Sequence, residues 1–543
     1  MLVLAGLFAA STAPFAGVGL SAELRFAPDR LVPSARVEAL VAVFLGDAFF
    51  VAAFFGGGWD ETETISRAIC ALAEMSRLSW TTFFETVARV EHLLRDDPAG
   101  VYLDMDFETR DSYRKAVEDL AQRAGRSEED VAQAALRCAR LHQGAPRLGH
   151  VGWWLVDEGR SELEAALGYR PGLPLRMRRA VLAHPGTVFA LLLLGFGLAA
   201  LTVPAALLWL AQAGWVTWGL GLVLSLAPAS IIAVTLTHWT LTATLAPRVL
   251  PKLDFEHGIA PGAETAVVVP VIVHHAQEVK QVLDRLERQW LLNPDPHLVM
   301  VLLSDLADAL GPTAPGDAEV ERRLVEGIRR LNKANGPDAP FVLLHRNRRF
   351  NARDSLWMGW ERKRGKLEQF NALTLSKEST PAAHGFEVYE GPVDRLTAVR
   401  FAVTLDADTI APLGAVYRLI GTLAHPLNHA EFAPGQSRPQ RGYTFVQPRV
   451  EISPSAGGQS IFARLYTGDT AIDIYSRAVS DVYQDLFGEG IFIGKGAYDI
   501  TAMHRALAGA VPEGALVSHD LFEGAHGRTA LASDIIVYED FPP

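Results

Sequence analysis

Two aspartates, Asp406 and Asp408, stand one residue apart in the run TLDADT and carry the clearest chemistry in the sequence. They follow directly on an apolar run at 399–405, so they terminate a buried strand and lie near a common face. Carboxylates so placed suit a hard divalent cation that grips a diphosphate while its other positions go to water and phosphate oxygens. The same spacing recurs at Asp104 and Asp106 (LDMDFETRD), where capping of the helical pattern that follows is the stronger reading. Asp305 ends a second apolar run (LLSD). It either accepts hydrogen bonds from a uracil N–H or a ribose hydroxyl, or it is a turn or N-cap residue before Leu306. Around Gly365 crowd Arg362, Lys363, Arg364 and Lys366, which form a solvated basic face or offset a diphosphate's charge, with Lys366 the expected donor contact. The glycines of 488–496 (GEGIFIGKG) let backbone approach a sugar closely or simply form a loop. Asp520, ahead of Leu521 and Phe522, is a candidate general base or the N-cap of a helix.

These residues need a scaffold that brings strand ends together. Residues 266–273 (AVVVPVIV) form a continuous β-branched run, and 277–292 (QEVKQVLDRLERQWLL) repeat apolar residues at helical spacing, which makes one strand–helix unit with a fully buried strand. Short apolar runs recur at 297–304, 341–345, 399–405 and 443–447. The expected fold class is α/β, with a mostly parallel sheet between helices that binds ligands beyond the carboxyl ends of its strands. Upstream, between about residues 66 and 166, Phe83, Val87, Val90, Leu93 and Leu94, and then Tyr113, Val117 and Leu120, predict an all-helical cytosolic segment.

The chain has 543 residues, 49% of them apolar and 21% charged, with a mean hydropathy of +0.14. That length implies more than one folding unit, and that composition excludes disorder and points to some contact with lipid. With 62 acidic against 50 basic side chains, the net charge of −12 opposes the phosphate attraction behind nucleic-acid binding. Cys70 and Cys138 lack metal-ligand spacing and make no disulfide framework, so they read as small buried apolar residues in a reducing compartment.

Residues 180–247 contain no Asp, Glu, Lys or Arg, enough for two spans of ~20 residues and a turn. The expected helices are 187–210 and 216–241, with Trp209, Trp215 and Trp218 at the turn and Pro204 and Pro228 as tolerated kinks. Arg176, Arg178 and Arg179 precede this hairpin and Arg248 and Lys252 follow it, which puts both flanks on the cytoplasmic side. Residues 1–20 are apolar without a basic n-region, and 39–59 read as a further span or a buried helix. The expected organisation is therefore an apolar N-terminal segment (1–65), a helical cytosolic region (66–179), a transmembrane hairpin (180–247) and an α/β catalytic domain (248–543).

Long strings in this sequence resemble the glycosyltransferase domain of the cyclic beta-1,2-glucan synthases, large bacterial inner-membrane enzymes. They include LPKLDFEHG (250–258), WMGWERKRGKLEQFNAL (357–373), TLDADT (404–409), QPRVEISPS (447–455), RAVSDVYQDLFGEGIFIGKGAYD (477–499) and SHDLFEG (518–524). Upstream, FFETVARVEHLLRDDPAGVYLDMDFETRDSYRKAVEDL (83–120) and HVGWWLVDEGR (150–160) extend the resemblance, while 1–59 lie outside it.

The resemblance implies a glycosyltransferase A-type fold that transfers glucose from UDP-glucose with inversion onto a growing beta-1,2-glucan. It implies Mg2+ or Mn2+ on Asp406 and Asp408, Asp520 as the base that deprotonates the acceptor, and Asp305 as the uridine-site aspartate. The implied partners are UDP-glucose, a glucan acceptor, the lipid bilayer of the inner membrane and a glucan exporter, with a multi-pass chain whose catalytic domain is cytoplasmic. The sequence stops at Pro543, ahead of the family's basic, tryptophan-containing closing element and its phosphorylase-like domain, so it reads as a shortened form with donor binding but little elongation. Synthesis of another membrane-linked beta-glycan, a glycoside hydrolase with paired carboxylates, and a noncatalytic membrane scaffold are the alternatives.

Overall fold

The run of valines at the head of the α/β region folds as the centre of an eight-stranded sheet and is covered on both faces from Thr265 to Val269; contrary to the expected full burial, Pro270 is half-buried and Ile272 is exposed, beyond the point where β7 ends. The computed structural model describes residues 86, 88–336, 338–376, 380–453, 479–511, 514 and 519–539, all within one compact unit, Glu85–Pro543. The expectations for 1–20 and 39–59, for the helical pattern before residue 88 and for Cys70 therefore lie outside the described residues.

The strands in chain order are β1 (Thr265–Val273), β2 (Leu298–Leu306), β3 (Phe341–Arg346), β4 (Arg349–Asn351), β5 (Leu356–Met358), β6 (Val388–Glu390), β7 (Phe401–Thr404), β8 (Phe445–Ile452), β9 (Gly496–Asp499) and β10 (Thr529–Glu539). The large sheet runs β10-β8-β9-β7-β1-β2-β3-β6, and β4 pairs with β5 apart from it. Strands β1, β2, β3 and β7 are parallel to their neighbours in that group, as are β8 and β10, whereas β9 runs antiparallel between β7 and β8 and β6 antiparallel on β3. The sheet is thus mixed and mostly parallel. Pro270 is tolerated in the central strand because β7 has already ended at Thr404, opposite Val268, so the missing N–H faces no partner there.

Alternation along β1 sorts its side chains into two cores. Val267, Val269, Val271 and Val273 pack in one cluster with Leu283 and Leu286 of α9 (Glu278–Leu292), Leu324 and Ile328 of α10 (Asp317–Ala334), and Leu419 and Ile420 of α12 (Ala415–Ala424). Ala266 and Val268 pack on the opposite face with Leu367 and Phe370 of α11 (Arg362–Ser376) and Met503 of α13 (Ile500–Leu507). A short helix, α14 (Asp520–Gly527), leads into β10.

Among the described residues, the region before residue 184 holds the helices α1 (Arg89–Leu94), α2 (Phe107–Ala124), α3 (Glu128–Leu141), α4 (Val151–Val156), α5 (Arg160–Leu167) and α6 (Leu173–Ala183), the first five closed around a core that includes Tyr113, Val117, Leu120 and Trp154. Asp106 caps α2 by accepting from the Thr109 N–H at 2.8 Å, as its position ahead of the apolar repeat requires. This helical region is fastened to the sheet domain through an isolated bridge between Met105 and Leu253 and through Arg147, which donates to Glu431 at 2.9 Å.

Two further helices, α7 (Pro185–Leu210) and α8 (Trp215–Thr244), pack against each other, each long and apolar enough to cross a membrane. Pro204 and Pro228 sit inside them without ending either helix. No residue of α7 is buried, and α8 buries only Ala229, Ala233, Thr237 and Leu241, so the apolar outer faces meet no protein. Trp209 and Trp215 flank the turn with 76% and 86% exposure. At the other end, Leu241 and Leu245 pack on Val482 and Leu486 around a π-helical turn, Tyr483–Phe487, which ties the pair to the sheet domain.

Candidate active site

Asp406 and Asp408 lie just past the end of β7, in a tight turn closed by Thr409 N–H donating to Asp406 O at 3.1 Å. The turn is held from below by α9, whose Arg285 donates to Ala407 O at 3.1 Å and whose Gln289 donates to Thr409 O and accepts from Ala411 N–H. It is held from the side by β10, since Ile410 and Tyr538 exchange backbone hydrogen bonds of 2.8 and 2.9 Å. That bridge carries Glu539 into the site, where it accepts from Thr409 Oγ1 at 3.0 Å. Asp406, Asp408 and Glu539 each offer an oxygen within 4.8 Å of the others. Three hard oxygen donors converging from two strand ends fit a divalent cation, and Asp408, the most open of them, faces solvent.

Two ammonium groups balance these carboxylates. Lys363 Nζ donates to Asp406 Oδ1 at 2.6 Å and to Gly494 O at 3.0 Å. Lys495 lies 3.3 Å from Asp406 Oδ2 and in direct contact with Glu539. Burial disfavours the Lys495 cation, but Glu539 and Asp406 outweigh that and hold its pKa above the ordinary lysine value.

The glycine loop brings Asp520 to the same place. At Gly494, with φ of +82°, a Cβ would lie 2.4 Å from Asp520 Oδ1 and 2.9 Å from Lys363 Nζ, so only glycine lets the loop lie against both groups. Asp520 is the first residue of α14 and accepts no capping hydrogen bond, which removes the N-cap alternative, and its Oδ1 is buried without a hydrogen-bond donor. His519 Nδ1 stands 3.4 Å from that oxygen and 3.0 Å from Glu523 Oε1. Burial opposes a charged ring at His519, yet Glu523 and Asp520 prevail and raise its pKa above the usual histidine value.

Asp305 and Lys366 lie deeper. Asp305, 2% exposed, is inside β2 opposite Arg346, which donates to both its oxygens at 2.7 Å. Lys366, one helical turn beyond Lys363, is 1% exposed, donates to Val271 O at 2.6 Å and stands 3.2 Å from Asp305 Oδ2. Burial, partly offset by Asp305, pulls its pKa down to about 8. Gly359 covers the pair, since a Cβ there would lie 2.3 Å from Asp305 Oδ2. Asp305 is thus neither an N-cap nor a turn residue, and of the basic residues around Gly365 it is Lys363 that reaches Asp406, not Lys366. Arg346 goes on to donate to Trp360 O at 3.0 Å and to Arg362 O at 3.1 Å. This fixes the start of α11, where Glu361 and Arg362 adopt φ of +51° and +48°. Because removing the bidentate partner leaves buried Asp305 with Lys366 alone, Arg346→Met is expected to cost about 3–5 kcal/mol of stability. The triple variant Asp305→Leu/Arg346→Met/Lys366→Met, which strands no charge, should recover most of that loss. Melting curves of both proteins decide it, and a single variant as stable as the parent would show that the pair contributes nothing.

Glu539 and Lys495 escaped the sequence reading. The usable signal was the same one that singled out Asp406: 529–539 is a largely apolar run ending in a carboxylate.

No protein-family profile matches the chain. It is 34% identical over 499 residues to the cyclic beta-(1,2)-glucan synthase NdvB of Rhizobium meliloti (strain 1021), and the match covers 88% of this chain and 17% of that protein. The chain therefore spans less than a fifth of the length of this relative.

Proposed function

From its sequence the chain is glucan synthase-like, and on that premise we propose that it is a membrane-bound, divalent-cation-dependent, inverting glycosyltransferase of glycosyltransferase A-type fold that moves glucose from UDP-glucose to a beta-1,2-glucan. The observation that carries the reading is the convergence of Asp406, Asp408 and Glu539 beside Lys363 and Asp520 at one edge of a mostly parallel sheet. Ligands of such sheets sit beyond the strand ends, where these groups are.

Asp406, Asp408 and Glu539 would hold Mg2+ or Mn2+, which when bound neutralises the donor's diphosphate. Lys363 and Lys495, paired with carboxylates in the donor-free protein, would turn to the phosphate oxygens. Asp520 takes the proton of the acceptor's 2-hydroxyl as that oxygen attacks C1 from the face opposite UDP. The C1–O bond to UDP breaks as the new glycosidic bond forms, and the anomeric centre inverts through an oxocarbenium-like transition state. Asp305 and Lys366 act through Arg346, keeping the start of α11 and hence Lys363 in register with the donor. Hydrolysis of a glycan by paired carboxylates would not require the lysine-balanced cluster found here.

The proposed setting is a bacterial inner membrane, spanned by α7 and α8, with the sheet domain in the cytoplasm. Its support is the apolar surface that protein leaves uncovered on both helices and the arginines at 176, 178, 179 and 248 on either side of them.

The test is UDP release from UDP-glucose by membranes that contain the chain, with Mg2+ and with chelator. Release that depends on the cation supports the transferase, and no release in either condition would leave a scaffold.

A further inference from the structure

Lys495 holds the same oxygens that a divalent cation would take. Its ammonium contacts Glu539 Oε1 directly and lies 3.3 Å from Asp406 Oδ2, so it engages two of the three carboxylates that converge at this strand edge. Lys363 takes the other oxygen of Asp406 at 2.6 Å, while Asp408 is left open to solvent.

The fold puts Lys495 there. Gly496 opens β9 opposite Thr404, the last residue of β7, so the residue before it emerges at the same edge as Asp406. Gly496 has φ of +132°, and a Cβ on it would lie 2.2 Å from Val446 O, which sets the loop tight against β8. On the other side of Lys495, Ile493 N–H donates to Gln447 Oε1 at 3.1 Å. The backbone is therefore held at both ends, whereas the lysine's flexible four-carbon stem can carry its charge from one partner to another.

Charge decides what moves it. A divalent cation arriving alone must displace an ammonium that two carboxylates hold, and it leaves that ammonium without a counter-charge. A diphosphate arriving with the cation offers oxygens to the released lysine. A ligand shifts an equilibrium only by its difference in affinity for the two states, and the diphosphate gains this contact only when Lys495 has left the carboxylates.

We propose that Lys495 is a gate: in the donor-free protein it closes the cation site, and a nucleoside diphosphate opens it by accepting the ammonium, so that cation and nucleotide bind tightly together and weakly apart. The inference rests on the transferase reading above and names the regulation of that same site. Such coupling is reciprocal, so the UDP affinity gained from Mn2+ equals the Mn2+ affinity gained from UDP.

The experiment follows unbound Mn2+ by electron paramagnetic resonance as the purified full chain is titrated, with and without saturating UDP. The parent is expected to bind Mn2+ at least about tenfold more tightly with UDP than without it. In Lys495→Met the affinity for Mn2+ alone should rise about tenfold and most of the gain from UDP should vanish. Lys495→Gln, also uncharged but still able to donate to Glu539, serves if the methionine variant melts early, and the same rise is expected in it. Lys363→Met removes a charge from Asp406 but leaves Glu539 held, so its rise should be several-fold smaller. Equal Mn2+ affinity with and without UDP in the parent would overturn the gate, as would no rise in the Lys495 variants or an equal rise in Lys363→Met, and in each case UDP binding with Mn2+ would leave the transferase reading intact. A parent that binds neither Mn2+ nor UDP would overturn both.

Discussion

Asp408→Asn is expected to weaken Mn2+-dependent UDP binding by about 100-fold or more while leaving the melting temperature nearly unchanged. The magnitude follows from coordination chemistry: losing even a group that only orients a ligand costs roughly 10–100-fold in metal affinity, and here a ligand itself loses its charge. The absence of a folding penalty follows from place. Asp408 is exposed in the turn, whereas Asp406 is tied to Lys363 at 2.6 Å and to Lys495 at 3.3 Å. Asp406→Asn would leave two ammonium groups facing each other without their shared counter-charge, which confounds a binding defect with local rearrangement. The measurement is calorimetric titration of UDP with Mn2+ and again with chelator. Wild-type affinity in Asp408→Asn would remove the aspartate pair from any role in cation binding.

The second large effect is kinetic. Asp520→Asn is expected to lower the rate of UDP release in the presence of acceptor by ~10²- to 10⁴-fold, the usual contribution of a positioned general base, with donor affinity within about threefold of the parent. The split between rate and binding is what identifies a base, because it acts on the acceptor hydroxyl and only as the transition state forms. Asp520 caps no helix, its Oδ1 accepts no hydrogen bond, and its contact with the donor-side groups runs through the Gly494 loop and Lys363. A variant in which affinity falls as far as rate would make Asp520 a structural residue of the loop.

Much of the scaffold was legible because burial and periodicity are local properties of the chain. The run TAVVVPVIV folds as a strand at 265–273 against an expected 266–273, covered on both faces through Val269, with Ile272 exposed near its end. The apolar pair of helices came out within a few residues of expectation for the same reason: a charge-free stretch of that length has few ways to satisfy its backbone. The short strands at 349–351, 356–358, 388–390 and 496–499 were not foreseen, since three or four residues carry no period and gain their pairing only from neighbours already in place.

The site divides along the same line. By itself the sequence determined which residue types stand at the ends of its apolar runs, and so it singled out Asp305, Asp406, Asp408 and Asp520. Only the tertiary structure decided which of those residues meet. It sank Asp305, Lys366 and Arg346 into a buried triad because β2 and β3 lie in register and Gly359 covers it. It raised Lys363 to Asp406, and it brought Glu539 across 130 residues by closing β10 on Ile410. Hydrophobic pattern fixes which segments are strands and helices, because each segment senses water alone. Which charges meet is set by strand order and register, which exist only once those segments have packed against one another.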